Sequence, residues 1–146
     1  MKPLVTFPDP EAAVINALKA AYLPRVETYK PTTIKSSIPV DAEGKPITLT
    51  TATHVQVELE VGNADDYPIA ERAQIRVTCY AAPGKRTDVK RLASLTQGLL
   101  YTHAGGDIAG VDILIGRSDV VTDPDTKNLM VWFLARVNLK ATLLAS

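Results

Sequence analysis

The chain has few side chains of the kinds that usually do chemistry: two histidines, His54 and His103, and one cysteine, Cys79. His54 alternates with polar residues in a run of β pattern, which predicts a surface position on an open sheet face. His103 falls at the end of a helical pattern, where a cationic side chain is favoured by the helix dipole. Neither has a cysteine or acidic neighbour at metal-ligand spacing. Cys79 lies on the apolar side of a predicted strand with no basic group adjoining it there. A buried structural thiol is therefore expected, not a nucleophile. A lone cysteine cannot form an intrachain disulfide, and a reducing compartment fits it.

Three carboxylates close in sequence, Asp119, Asp123 and Asp125, could in principle hold calcium or magnesium. Their spacing lacks the central Gly and distal Glu of an EF-hand loop, and a β-turn set by Asp123 and Pro124 accounts for them better. Asp65-Asp66 reads as a solvated turn. Gly84-Lys85-Arg86-Thr87 precedes a helix as a phosphate loop would, but without the glycine-spaced lead-in. Lys85, Arg86, Lys90 and Arg91 form a local basic patch with no aromatic side chains interleaved to stack on bases. With 16 basic and 16 acidic residues in total, this patch reads as a solvated helix face or a charged subunit contact. No catalytic residue, cofactor or metal site is expected, and no specific nucleic-acid binding.

Periodicity gives the elements that carry these residues. Asp9 caps a helix that starts at Pro10, where a missing N–H costs nothing, and Pro24 ends it after Leu23. Val14, Ile15, Leu18, Ala21 and Tyr22 form its apolar stripe. A first strand is expected over 25–30. Two β-rich arms, 34–40 and 47–53, flank the turn at 41–45 and read as a hairpin. It is rich in Thr and Ser, so it is expected to project as an arm over about 31–53. Clean alternation follows: Val55, Val57, Leu59 and Val61 face inward, a loop spans 62–68, and Ala73, Ile75, Val77 and Cys79 face inward on a second strand that pairs antiparallel with the first. Thr87 is expected to cap a second helix running to about His103, ended by Gly105-Gly106. Val111, Ile113 and Ile115 point inward on the next strand. A turn over 119–127 leads to a last strand over 128–142. The expected fold is α+β: a largely antiparallel, mixed sheet of four to five strands, two amphipathic helices on one face, and a projecting β-hairpin arm.

Length and a hydrophobic content of 46% suit a single domain over 1–146 with one core. Lys2 is followed by Pro3, Pro8, Asp9, Pro10 and Glu11, where a secretory signal needs an unbroken apolar run. No stretch reaches the length of a membrane span, so no membrane partner and assembly in the cytoplasm are expected.

The last strand is apolar on both faces through "LMVWFLARV", whereas the middle strands are polar outside. Met130, Trp132 and Leu134, with Leu114 beside them, would make an apolar patch on the side the helices leave open. One reading makes this strand central, with the hairpin or a terminus folded over it. The other makes the patch a subunit interface, since Trp and Met are enriched there. On the second reading the arm, through Ile34, Ile38, Ile47 and Leu49, gives a further grip on a neighbour.

Three stretches carry a resemblance. "FPDPEAAVINALKAAYLP" opens the chain with a capped, Ala/Val/Leu-rich helix and a "LP" stop. "AQIRVTCYAAPGKRTDVKRLASLTQGLL" gives a strand, an aromatic-Ala-Pro break and a helix. "DVVTDPDTKNLMVWFLARVNLK" gives a "PDPDTG"-like turn, with Lys127 at the glycine position, and an alternating last strand. In this order they resemble the tail terminator (tail completion) proteins of long-tailed bacteriophages and prophages. The resemblance implies a non-enzymatic virion protein, a homohexameric ring capping the tail tube at its head-proximal end. Its partners would be copies of itself, the tail tube protein and the head connector or stopper, with DNA passing through the ring. The segment 31–53 is longer than the loop this family leads one to expect. The alternatives are another head–tail connector or neck protein, or a small ligand-binding or enzymatic domain with a pocket between sheet and hairpin.

Overall fold

The computed structural model describes residues 4–66, 70–103 and 105–143. The elements are β1 (Val5–Thr6), α1 (Pro10–Tyr22), β2 (Thr33–Lys35), β3 (His54–Asp66), β4 (Ala70–Ala81), α2 (Arg86–Tyr101), β5 (Ile108–Ile115), β6 (Val121–Thr122), β7 (Leu129–Lys140) and β8 (Thr142–Leu143). The fold is α+β. A six-stranded sheet runs β2-β3-β4-β7-β5, and β6 pairs with the start of β7 beyond the end of β5. Only β2–β3 is parallel. β1 and β8 form a separate antiparallel pair.

Local chemistry sets the helices. The Asp9 carboxylate accepts from the Glu11 N–H at 3.1 Å, and Pro10 opens α1. α2 starts one residue before the expected cap: Lys85 stands at the N-cap position with no side-chain bond, and Thr87 lies inside the first turn. Both helices pack on the same face of the sheet. There Val14 and Leu18 of α1 and Val89, Leu92 and Leu100 of α2 meet Val55, Val57, Ile75, Val77, Phe133 and Val137. The Tyr22 hydroxyl and the Thr96 hydroxyl share a buried hydrogen bond between the helices. Cys79 is buried in this core, and burial pushes its thiol up to about 12, so it stays protonated and inert.

Several expectations change. No strand forms over 25–30, which folds into turns. β3 continues to Asp66 through two register shifts, where a loop over 62–68 was expected; 67–68 of that loop lie outside the described residues. Leu59, expected inward, is exposed beside the first of these bulges, and its N–H is taken by the Glu11 carboxylate of α1 at 2.8 Å. A bulge in β5 between Ile113 and Ile115 brings Ile115 opposite Leu134, so Ile115 leaves the core face.

The largest change concerns 31–53. It is not a projecting hairpin. Thr33–Lys35 adds a parallel edge strand to β3, and Val40 and Pro46 form only an isolated bridge. The rest lies as a strap along one end of the sheet, bonded to its own domain. Asn128 holds it from below: its Oδ1 accepts from the Leu49 N–H at 2.7 Å and its Nδ2 donates to the Ile47 carbonyl at 2.9 Å. The Thr48 hydroxyl donates to the Thr126 carbonyl at 2.7 Å.

Candidate functional site

The sheet face opposite the helices is built from the outward residues of β3, β4 and β7. Register sets its rows: Glu58 beside Arg76 beside Leu134, Thr78 beside Trp132, and Tyr80 beside Met130 beside Val121. The strap covers one end of this face and leaves the other open.

At the covered end Leu49 packs on Tyr80 and Ala82 in a second small core, with Ile47, Ala52 and Met130 at its border. Beneath the strap, His54 is only 2% exposed. This overturns its expected surface position, which followed from alternation alone. Its Nε2–H donates to the Ser37 carbonyl at 2.7 Å, its Nδ1 meets the Thr33 hydroxyl, and its ring lies edge-on to Tyr80 at 5.7 Å. Burial holds the imidazole below its usual value. The Tyr80 hydroxyl donates to Gln56 Oε1 at 2.7 Å, and burial pushes that phenol up to about 12. A ligand pocket between sheet and hairpin reduces here to a hollow of about 130 Å³ along Ile38, Leu49 and His54, small for an organic ligand. Its one imidazole is bonded at both nitrogens.

At the open end the apolar side chains are only partly covered. Met130, Trp132 and Leu134 are half-buried, and Leu114 is 39% exposed in the β5 bulge. Ile115 and Val121 add exposed aliphatic surface along the same edge. Trp132 therefore lies outside the helix-covered core, while its neighbours Val131 and Phe133 lie in it. Arg76 covers part of its ring, with the guanidinium carbon 4.4 Å from the ring centroid, and pairs with the Glu60 carboxylate at 2.7 Å. Between Tyr80, Met130, Trp132 and Val121 lies a hollow of about 300 Å³, with Glu58 and Arg76 on its rim.

The other sequence candidates separate from this surface. Ile34 is buried in the main core and Leu49 in the second one, so both serve their own domain; Ile47 borders the second core and Ile38 stays exposed. The Asp123 carboxylate accepts from the Asp125 and Thr126 N–H groups, which lowers its pKa and closes the turn. Among the described residues no three His, Cys, Asp or Glu side chains gather as a metal site. Lys85, Arg86, Lys90 and Arg91 are all exposed, and His103 contacts the Gly105 carbonyl at the end of α2. Sequence reasoning missed Asn128. An Asn between a turn and a strand reads as a turn former, and nothing local marks a partner 79 residues earlier.

No family model matches the chain, and no curated protein matches it. Solved structures do match it. A chain of the "Virion of native gene transfer agent (GTA) particle" aligns with a TM-score of 0.55, over 90% of this chain and 94% of that one, at 14% identity. At that identity the likeness is one of fold.

Proposed function

We propose that this chain is a non-enzymatic structural protein of a phage-like particle. It forms a single domain that assembles with copies of itself into a ring of about six subunits. The ring ends the growing tail tube at its head-proximal end and presents a surface to the head connector. The observation that carries this reading is the fold likeness to a virion chain over nearly the whole of both chains. The open face supports it. Half-buried Trp132 and Leu134 beside exposed Ile115 and Val121 on one edge are what a subunit contact uses and what a free monomer does not need. The order of the three resembling stretches agrees.

The test is assembly with the tail tube protein of the same particle, followed by electron microscopy and mass measurement. The expected result is rings on one end of tubes whose growth has stopped. Tubes that lengthen unchecked, with this chain monomeric beside them, overturn the proposal. Rings that bind the connector but never the tube would assign the chain to the neck instead and overturn the terminator role.

A further inference from the structure

Leu23 and Val26 are the barest large apolar side chains among the described residues, 83% and 90% exposed. They stand on one loop after α1, and that loop is built. Pro24 fixes one φ. The Arg25 N–H donates to the Tyr22 carbonyl at 3.0 Å and the Lys30 N–H to the Glu27 carbonyl at 3.1 Å. The Arg25 guanidinium pairs with Glu27, and the Lys30 ammonium donates to the Arg25 carbonyl at 3.0 Å. Holding two aliphatic side chains in water on an ordered loop gives a monomer nothing. It gives a partner a preorganised knob with little entropy left to lose. The surroundings are basic: Lys19, Lys30 and Lys35 line the hollow that Leu23 shares with β2, and Arg25 is adjacent, against one carboxylate, Glu27.

The open sheet face has the complementary character. Its hollow of about 300 Å³ is walled by Tyr80, Met130, Trp132 and Val121. Glu58 and Arg76 line it, and Arg76 pairs with the Glu60 carboxylate beside it. The knob lies beside β2, at one edge of the sheet, and the hollow lies over β4, β7 and β6, toward the other edge. Two different patches at opposite edges of the sheet do not meet within one chain, and a knob seated in the next copy's hollow leaves that copy's own knob free for a third. They can satisfy each other head-to-tail, the contact type that closes into rings.

We propose that the Leu23–Val26 knob of one copy seats in the Trp132 hollow of the next, with the basic loop against the Glu58–Glu60 side. The inference rests on the ring reading above and names its contact. Cys79 is buried, so cysteines introduced at exposed positions are the accessible thiols, and neither Val26 nor Val121 contributes to the core. Full-length Val26→Cys and Val121→Cys chains are mixed with tube protein and oxidised. Disulfide-linked dimers are expected in the mixture and in neither chain alone, and the double variant should give a ladder up to the ring size. Leu23→Glu should weaken ring formation at least about tenfold, as loss of an interface anchor does. Rings that form without a Val26–Val121 link, or with Val26 linking to itself, overturn this contact and leave the ring standing. A chain that stays monomeric with tube present overturns both.

Discussion

The guanidinium of Arg76 lies over the ring of Trp132, with its central carbon 4.4 Å from the ring centroid. This contact sits on the open face, half in water, and Arg76 is also engaged by Glu60. Trp132→Ala is therefore expected to cost the monomer only about 1–2 kcal/mol, the scale of a partly exposed cation–π and packing contact. Phe133→Ala, one residue away on the helix-covered face, should cost about 3–5 kcal/mol. Thermal unfolding of the monomer measures both. Equal losses would put Trp132 in the core and remove the main physical argument for association through this face.

Asn128 is 1% exposed and serves two backbone groups of the strap. Asn128→Ala leaves the Leu49 N–H and the Ile47 carbonyl without their partner, at a cost of about 2–3 kcal/mol. The strap tip has its own lock, since the Asp41 carboxylate accepts from the Glu43 and Lys45 N–H groups at 2.9 Å. Limited proteolysis of the free wild-type chain should accordingly spare Lys45, and the variant should be cut there. Rapid cleavage of the wild type at Lys45 would restore the mobile arm that composition alone suggests.

His54 titrates below its ordinary value because burial disfavours the cation, and the charge of Lys35 acts in the same direction. The unfolded chain therefore binds a proton at higher pH than the folded one. The stabilisation this gives is present above about pH 6.5 and is lost as pH falls through the folded value. Urea midpoints measured from about pH 7.5 to about pH 5 should fall more steeply for the wild type than for His54→Gln. Parallel curves would mean His54 is already solvated when folded.

Lys127 has φ +64°, closing the turn whose N–H bonds to the Asp123 carbonyl at 2.8 Å. A β-carbon is disfavoured in that conformation, while glycine adopts it freely. Lys127→Gly should raise stability by about 0.5–1 kcal/mol after the extra freedom of the unfolded glycine is counted. A fall in melting temperature would count against the left-handed turn.

Much of the framework was legible because its causes are local. The Asp9 cap, Pro10 and Pro24 bound α1 through bonds and angles within a few residues, and alternation assigned the core face of β3 at Val55 and Val57, of β4 from Ala73 to Cys79 and of β7 from Val131 to Leu139. The left-handed residue stands where the resembling turn has a glycine, because turn geometry too is set within four residues.

What remained needed the packed chain. Period-two alternation tells which side chains share a face and not what lies over that face, so His54 and Gln56 read as wet until the strap was in place above them. The strap itself is held by a parallel pairing with β3 and by Asn128, partners 21 and 79 residues distant, and no local propensity encodes such a pairing. Bulges decided Leu59 and Ile115, since one extra residue reverses a face and leaves no mark in the pattern. For Trp132 the sequence showed a strand apolar on both sides. The tertiary structure decided which side stayed bare, because two helices are enough to cover only one face of a sheet this size and the strap reaches just one end of the other.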